Sequence, residues 1–197
     1  MALDATALVE LKPAKDFLVV VGVSDDPLIE AAINAATVAI ESHCNRVFKE
    51  RIVTERVEGP NAARLWLSAV PLKTTEAVTV SVDDVAQTVW QEEADGLQSA
   101  FDVIARPDHL YRRAGWAPGS GDPYNVLLSY TGGFATIPSP VQQACLYMVQ
   151  KLFRDGKRQL AEVAQINTPM GGISILDSAL PRMARLLLDP YRLRIAA

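Results

Sequence analysis

The sequence predicts an α+β protein: a small helical bundle with an inserted β-rich region and a C-terminal helical arm. An apolar pattern of helical period fills residues 24–45, and a second one fills residues 138–154. Between them, residues from about 51 to 131 alternate apolar and polar side chains between turn signals, as strands do. We expect a core over residues 1–155 and the arm over residues 156–197.

The N-terminal part begins with a short helix and continues into a longer one. Pro13 suits the first turn of a helix over residues 14–18. Asp25 and its neighbours offer capping side chains, and Pro27 suits an early position in the second helix. Asn45 can take the left-handed conformation that ends a helix. The expected buried face consists of Ile29, Ile33, Ala36, Ile40 and Cys44.

The β-rich region contains several short apolar runs. One run covers residues 51–57, and another places Leu65 and Leu67 on either side of Trp66. A third alternates apolar residues up to an expected Asp83-Asp84 turn, with residues 86–90 as its hairpin partner. Residues 100–105 and 125–131 complete the predicted strands. The stretch 113–124, which is rich in Gly and Pro, is predicted to be a loop.

The C-terminal part should be mainly helical. A helix begins at Pro140, and Gly156 is expected to break it. Residues 159–166 are expected to be helical again, and residues 169–172 to be flexible. A final amphipathic helix, which Asp189-Pro190 ends, is indicated by Leu180, Met183, Ala184, Leu187 and Leu188.

Composition limits the class of protein. The 197 residues are 49% hydrophobic with a mean hydropathy of +0.11, which is enough to bury a core. No stretch approaches the roughly 18 apolar residues of a membrane span. The first residues lack the basic and apolar regions of a signal peptide, so synthesis in the cytoplasm is expected.

Charge is distributed unevenly along the chain. Residues 141–197 hold eight Lys and Arg and four Asp and Glu, whereas residues 1–140 hold 11 basic and 19 acidic side chains. An acidic body with a basic C-terminal arm could meet an acidic partner or DNA. A solvated helix face would give the same composition, and a free DNA-binding domain is usually basic overall.

Few residues are available for catalysis or metal binding. His43 and Cys44 are adjacent on a helix and diverge by about 100°, and zinc needs roughly four ligands, so no metal or cofactor is predicted. A nucleophilic pairing of Cys145 with His109 is conceivable. Two buried cysteines without a disulfide are favoured over that pairing and over a disulfide.

Two groups of side chains are candidate contact surfaces. Aromatic residues and arginines are common anchors of protein interfaces. One group lies in the β-rich region, as a subunit or channel surface, and consists of Tyr111, Arg112, Arg113 and Trp116. The other lies in the arm and consists of Leu187, Leu188, Tyr191, Arg192 and Arg194.

The order of four sequence pieces resembles the head–tail adaptor (connector) proteins of tailed bacteriophages. The pieces are Asp25-Asp26-Pro27-Leu28-Ile29 with its helix to Phe48, Leu65-Trp66-Leu67 with Pro71, Ser129-Tyr130-Thr131-Gly132-Gly133-Phe134 with Ile137-Pro138, and Leu188-Asp189-Pro190-Tyr191-Arg192. His43 and Asn45 depart from the family pattern, and residues 106–124 and 156–180 match no part of it.

The resemblance implies a structural virion protein of the neck, and not an enzyme. Such proteins form a twelve-fold ring under the portal, continue the DNA channel without sequence recognition, and support the next neck or tail protein. The arm residues are then the expected portal contact. The alternatives are another neck or tail-completion (stopper-like) protein, a small cysteine-dependent hydrolase, or a ligand-binding module.

Overall fold

The chain forms two compact units, one inserted into the other. The computed structural model describes residues 2–91, 102–119, 123–158, 165–168, 171–174 and 180–193. A helical unit comprises Met1–Asn45 and Ile137–Ala197, and a β unit comprises Arg46–Thr136. The predicted α+β class is confirmed. The predicted boundary at residue 155 remains a prediction, although the C-terminal helix belongs to the helical unit.

Among its described residues, the helical unit contains four α-helices: α1 (Leu11–Leu18), α2 (Asp26–Cys44), α3 (Ser139–Arg158) and α4 (Arg182–Leu188). A 3-10 helix, Asp189–Tyr191, follows α4, so the helix does not stop cleanly at Asp189-Pro190. Antiparallel strands β9 (Gln165–Thr168) and β10 (Gly171–Ser174) form a hairpin. No helix in the described ranges is both long and apolar enough to cross a membrane.

Helix α2 forms as the sequence predicts, but its start differs. All five expected core side chains are fully buried, and Asn45 is left-handed at the end. The expected capping is wrong, because Asp25 has helical backbone angles and makes no side-chain cap bond. Ion pairs engage the two carboxylates instead: Asp25 with Lys157 at 2.6 Å, and Asp26 with Lys15 at 2.5 Å.

Helix α3 continues past the glycine that was expected to break it. Its last residue is Arg158. A β-carbon at Gly156 would lie 3.4 Å from Leu28 Cδ1 on α2, which is an ordinary van der Waals contact, so no crowding requires a glycine here. The packing of α3 against α2 and α4 outweighs the cost of about 1 kcal/mol for glycine inside a helix.

Helix α4 packs against α3 and is part of the core of its unit. Ala184 and Leu188, one turn apart, are both fully buried. Just beyond the helix, the backbone N–H of Leu193 donates to the carbonyl of Cys44 at 2.9 Å. The C-terminal segment as far as Leu193 is therefore tied to the end of α2.

In the part of the β unit that the structure describes, the strands form two four-stranded sheets. The first has the order β1-β8-β3-β4, with β1 (Arg51–Val57), β8 (Val126–Gly132), β3 (Thr79–Val82) and β4 (Val85–Ala86), all antiparallel. The second has the order β2-β7-β6-β5, with β2 (Ala62–Trp66), β7 (His109–Trp116), β6 (Val103–Ala105) and β5 (Val89–Trp90). Strands β5 and β6 are parallel.

Several predicted elements of the β unit need correction. Residues 113–116 belong to β7 and not to a loop, because the buried side chains of Leu110 and Trp116 anchor that strand at both ends. The predicted hairpin partner of β3 is shorter than expected: Val85–Ala86 forms β4 beside β3, while Val89–Trp90 joins the second sheet.

One C-terminal prediction was also wrong where the structure describes it, because residues 165 and 166 lie in β9 and not in a helix. Gly171 and Gly172 lie in β10, and the flexibility expected of residues 169–172 remains a prediction. The remainder of the helix expected over 159–166 lies outside the described residues, as do Pro169 and Met170. Both stretches fell in the part of the sequence without clear periodicity.

Candidate functional site

The first candidate surface is the outer side of α4. Of the predicted contact residues, Arg192 is exposed, and Leu187 and Tyr191 are half-buried. Leu188 is fully buried against α3, so it supports the helix and offers no surface to a partner. Arg194 lies outside the described residues.

Sequence reasoning missed the apolar side chains that α4 does expose. Met183 is 53% exposed and Leu186 is 57% exposed, and a spacing of three residues places them on the same side of the helix. Exposed Arg182 and Arg185 lie beside them in sequence. No sequence signal identifies this side, because Met183 and Leu187 have the same four-residue spacing as the buried pair Ala184 and Leu188.

A groove between α3 and α4 continues this surface. Its volume is about 360 Å³, and three cationic side chains line it with one acidic one: Lys151, Arg154, Arg182 and Asp155. The apolar part is provided by Met183 and Tyr147, whose ring also meets Phe17 edge-on at 5.8 Å. We call this groove and the outer side of α4 the C-terminal surface.

The second candidate surface lies on β7, and it differs from the predicted cluster. Trp116 is fully buried, and its Nε1 donates to the Ala63 carbonyl at 3.2 Å, so this residue is an anchor of the core. Arg112 donates to Gln87 Oε1 at 3.0 Å and lies 5.7 Å from the centre of the Trp116 ring. Tyr111 is half-buried, and Arg113 is exposed.

The charge of Arg112 acts on the carboxylate of Asp102. Hydrogen bonds from the hydroxyl and the backbone N–H of Thr88 lower the pKa of Asp102, and the positive charge of Arg112 lowers it further. Arg112 therefore stabilises the β unit through contacts with neighbouring residues. Tyr111 and Arg113 are the members of the predicted cluster that remain at the surface.

The register of the second sheet brings other residues to the same side as Tyr111. Arg64 lies opposite Tyr111, and Trp66 lies opposite His109. The Trp66 and His109 rings are 5.3 Å apart, and Trp66 is 62% exposed. Arg106 lies 5.6 Å from the centre of the Trp90 ring.

A cleft of about 440 Å³, which we call the arginine–aromatic cleft, lies on this side of the sheet, and the Trp66 ring adjoins it through its contact with His109. It is lined by Arg64, Ile104, Arg106, Pro107, Asp108, His109 and Tyr111. Asp108 contacts His109 Nδ1 at 2.7 Å. The same alternation that predicted a buried Leu65 would have placed Arg64 and Trp66 together on the outer side.

The residues considered for chemistry are arranged as structural residues. Cys145 is fully buried, and burial raises the pKa of its thiol to about 12, although the Thr37 hydroxyl acts in the opposite direction. A thiol with a raised pKa is a poor nucleophile. No disulfide joins it to Cys44, and His109 belongs to the other unit. Across the described ranges, no group of His, Cys, Asp and Glu is arranged to hold a metal ion.

The described residues therefore present two exposed candidate surfaces and no arrangement of catalytic or metal-binding side chains. Comparison with known protein families gives a match to the head completion protein family over residues 7–193. The chain belongs to that family. No curated protein matches it significantly.

Solved structures share the fold over its whole length. The chain resembles one from the "Neck of empty GTA particle computed with C6 symmetry", with 15% identity, a TM-score of 0.58, and coverage of 100% of this chain and 95% of that one. A chain from the "Neck of native GTA particle computed with C12 symmetry" has 16% identity and a TM-score of 0.53, and the match covers 100% of this chain and 94% of that one. A third chain, from the "Virion of native gene transfer agent (GTA) particle", has 16% identity and a TM-score of 0.58, and the match covers 100% of this chain and 95% of that one.

These findings confirm the resemblance predicted from the sequence. They also confirm the prediction of a structural virion protein that joins head to tail at the neck. The family is one of structural proteins, and the buried Cys145 thiol does not favour the alternative of a cysteine-dependent hydrolase.

Proposed function

We propose that the chain forms a ring under the portal, and that this ring continues the DNA channel from the head to the tail. The observation that supports this most is the family match over residues 7–193, which spans both units. Two of the chains that share the fold come from necks computed with C6 and C12 symmetry. A ring of identical subunits closes when each contacts the next head to tail.

The C-terminal surface is the proposed portal contact. Met183 and Leu186 expose apolar area among arginines, and the groove beside them has an excess of positive charge. Apolar and arginine side chains together are typical of the buried centre of an interface. Arg192, Leu187 and Tyr191 extend the same stretch of chain, and an acidic, partly apolar surface of the portal would complement it.

The proposed passage of DNA requires no grip on the phosphates. Residues 1–140 carry 19 acidic and 11 basic side chains, so the body offers little counter-charge to DNA. Such a ring would let a duplex slide through it without sequence recognition. A ring whose inner surface was strongly basic would contradict this part of the proposal.

The test is electron microscopy of particles assembled with the gene disabled and then supplied with variant protein. Without the protein, DNA-filled heads should separate from complete tails. The double variant Met183→Asp/Leu186→Asp should fail to restore joined particles, because it places charge in the proposed portal contact. Val38→Asp is the matched control, since Val38 is an exposed apolar residue on α2 of the same unit and should restore joining.

The outcomes of this test distinguish the proposed function from the proposed portal contact. Normal infectious particles without the protein would contradict the proposed function. Joined particles with the double variant would move the portal contact to another surface. Variant protein that binds the portal but leaves tails detached would favour a stopper-like protein, which docks to the tail side. Truncation after Leu180 is a poorer test, because it also removes the buried side chains of Ala184 and Leu188.

A further inference from the structure

The arginine–aromatic cleft contains cations without partners among the described residues. Arg64 makes no hydrogen bond or ion pair within the described ranges, and Arg106 contacts only the Trp90 ring through its guanidinium. The acidic residue of the lining, Asp108, is already engaged by His109. The cleft is therefore suited to a ligand that brings carboxylates and some apolar area for Trp66.

The same unit exposes a turn with the complementary properties. Asp83 and Asp84 join β3 to β4, both are exposed, and both have left-handed backbone angles, with φ of 50° and 62°. The following residue, Val85, is 62% exposed. Non-glycine residues adopt this conformation at a cost, and two adjacent like charges add to it. The fold alone would be served better by Asn-Gly at this position.

The turn is held rigidly in place. The backbone N–H of Asp83 donates to the Asn125 carbonyl at 3.0 Å, and Asn125 Nδ2 donates to Asp83 Oδ1 at 3.2 Å. The carboxylate of Asp84 makes no hydrogen bond or ion pair in the described part of the chain, so it does not stabilise the turn itself. A rigid, charged projection loses little conformational freedom when it binds.

We propose that the arginine–aromatic cleft of one subunit binds the Asp83–Val85 turn of the next copy of this chain. The inference rests on the ring proposed above and assigns its head-to-tail contact. Arginine guanidinium groups bind carboxylates through paired hydrogen bonds, and Val85 would cover part of the exposed Trp66 ring. Because the turn and the cleft are different surfaces of one unit, the contact repeats from copy to copy and can close.

DNA is the less suitable occupant of the cleft. A duplex presents phosphates on its outside and would leave the exposed area of Trp66 without an apolar partner. The Asp83–Val85 turn supplies both negative charge and an apolar side chain within three residues. Charge complementarity between two surfaces of the same chain therefore favours a second copy.

The test is cysteine cross-linking in assembled particles. The variant Val85→Cys/Ile104→Cys places one thiol in the turn and one in the cleft without removing a charge. Both native cysteines are buried and should not react. A short bifunctional maleimide should link subunits into a ladder of multimers. The matched control is Val85→Cys/Ile52→Cys, because Ile52 is exposed on β1 and outside the cleft, and it should give no ladder.

Charge variants test the same contact independently. In the Val85→Cys/Ile104→Cys background, Asp83→Asn/Asp84→Asn should lower the ladder yield at least about tenfold, and Arg64→Glu/Arg106→Glu should do the same. Asn tolerates left-handed angles, so the first change should leave the turn folded. Equal yields with and without the charges would contradict the proposal.

Each outcome bears on either the contact or the ring. Particles that carry the protein in the neck but give no ladder would overturn the inference and leave the proposed function standing. A ladder that nuclease digestion removes would assign the cleft to DNA and would also overturn it. Particles whose necks lack the protein would contradict the proposed function itself.

Discussion

Tyr130 shows how a single buried polar group stabilises the β unit. Its hydroxyl donates to Glu55 Oε1 at 2.7 Å and accepts from the backbone N–H of Ala69 at 3.1 Å. Burial is the main reason that the pKa of this phenol is raised to about 12. The neutral hydroxyl is thus favoured in the folded state, and its ionisation opposes folding.

The pH dependence of stability should report this group. Because the folded pKa lies above the ordinary value of about 10, the contribution is complete below pH 10 and is lost as the pH rises towards 12. Denaturant titrations between pH 8 and 12 should show a steeper loss of unfolding free energy for the wild type than for Tyr130→Phe. If the unfolding free energies of the two proteins fell in parallel with pH, the raised pKa of Tyr130 would be contradicted.

Gly132 at the end of β8 and Gly22 between α1 and α2 are glycines for different physical reasons, which mutation can separate. A β-carbon at Gly132 would lie 2.2 Å from the Ala69 carbonyl oxygen, whereas one at Gly22 would have nothing within 4 Å. Gly132→Ala should therefore destabilise the protein by about 3 kcal/mol or more. Gly22→Ala should cost only about 1 kcal/mol, for its positive φ. Thermal unfolding of both variants measures the difference, and equal costs would mean that the Ala69 contact relaxes.

The cysteines should be unreactive in the native protein. With a pKa of about 12, only about one Cys145 thiol in ten thousand is ionised at pH 8, and the side chain is buried. Alkylation followed by mass spectrometry should label neither cysteine until denaturant is added. Selective labelling of native Cys145 would revive the hydrolase alternative.

At the scale of elements, α4 combines a core side with a contact side. Leu188→Ala should lower the unfolding free energy by about 2–5 kcal/mol, because it opens a cavity against α3. Met183→Ala/Leu186→Ala should change it by less than about 1 kcal/mol, since both residues are exposed. Chemical denaturation of the isolated protein gives both values. A large loss from the exposed pair would mean that these side chains serve the core.

How far the sequence predicts each element depends on its periodicity. Helix α2 and strand β1 carry strong patterns of period 3.6 and 2, and both were predicted to within two residues. Strand β7 was not, because Arg112, Arg113 and Gly115 resemble a loop, while its pairing with β2 decides the conformation. Gly156 was predicted to break α3 because glycine has a low helix propensity, whereas the packing of α3 against α2 and α4 decides that the helix continues.

The candidate surfaces were harder to predict than the elements. Local sequence identified Tyr111 and Arg113 but could not supply Arg64 and Trp66, which come from another strand by register. It also grouped Trp116 and Leu188 with exposed residues, since a buried anchor and an interface anchor have the same side-chain chemistry. Burial, which depends on long-range packing, separates the two kinds.

At the scale of the whole molecule, the β unit has the features of an inserted domain. It is one continuous segment, Arg46–Thr136, between the two parts of the helical unit. Its two ends are held together, because the N–H of Phe134 donates to the Phe48 carbonyl at 2.6 Å and the N–H of Glu50 donates back to Phe134 at 3.2 Å. Their rings stack at 6.4 Å with the Arg46 guanidinium against both. Domains with adjacent ends tolerate insertion and excision well.

We therefore expect residues 46–136, produced alone, to fold cooperatively into the two sheets. Circular dichroism should show a β-rich spectrum, and a single unfolding transition should appear on heating. If the cleft and the turn form the contact between copies, this fragment should inhibit ring formation by the full chain. A fragment that lacks both sets of charges should not inhibit it, and this control carries Asp83→Asn, Asp84→Asn, Arg64→Glu and Arg106→Glu. A folded fragment that never inhibits would separate the stability of the β unit from any role in assembly, and an unfolded one would show that the helical unit completes its core.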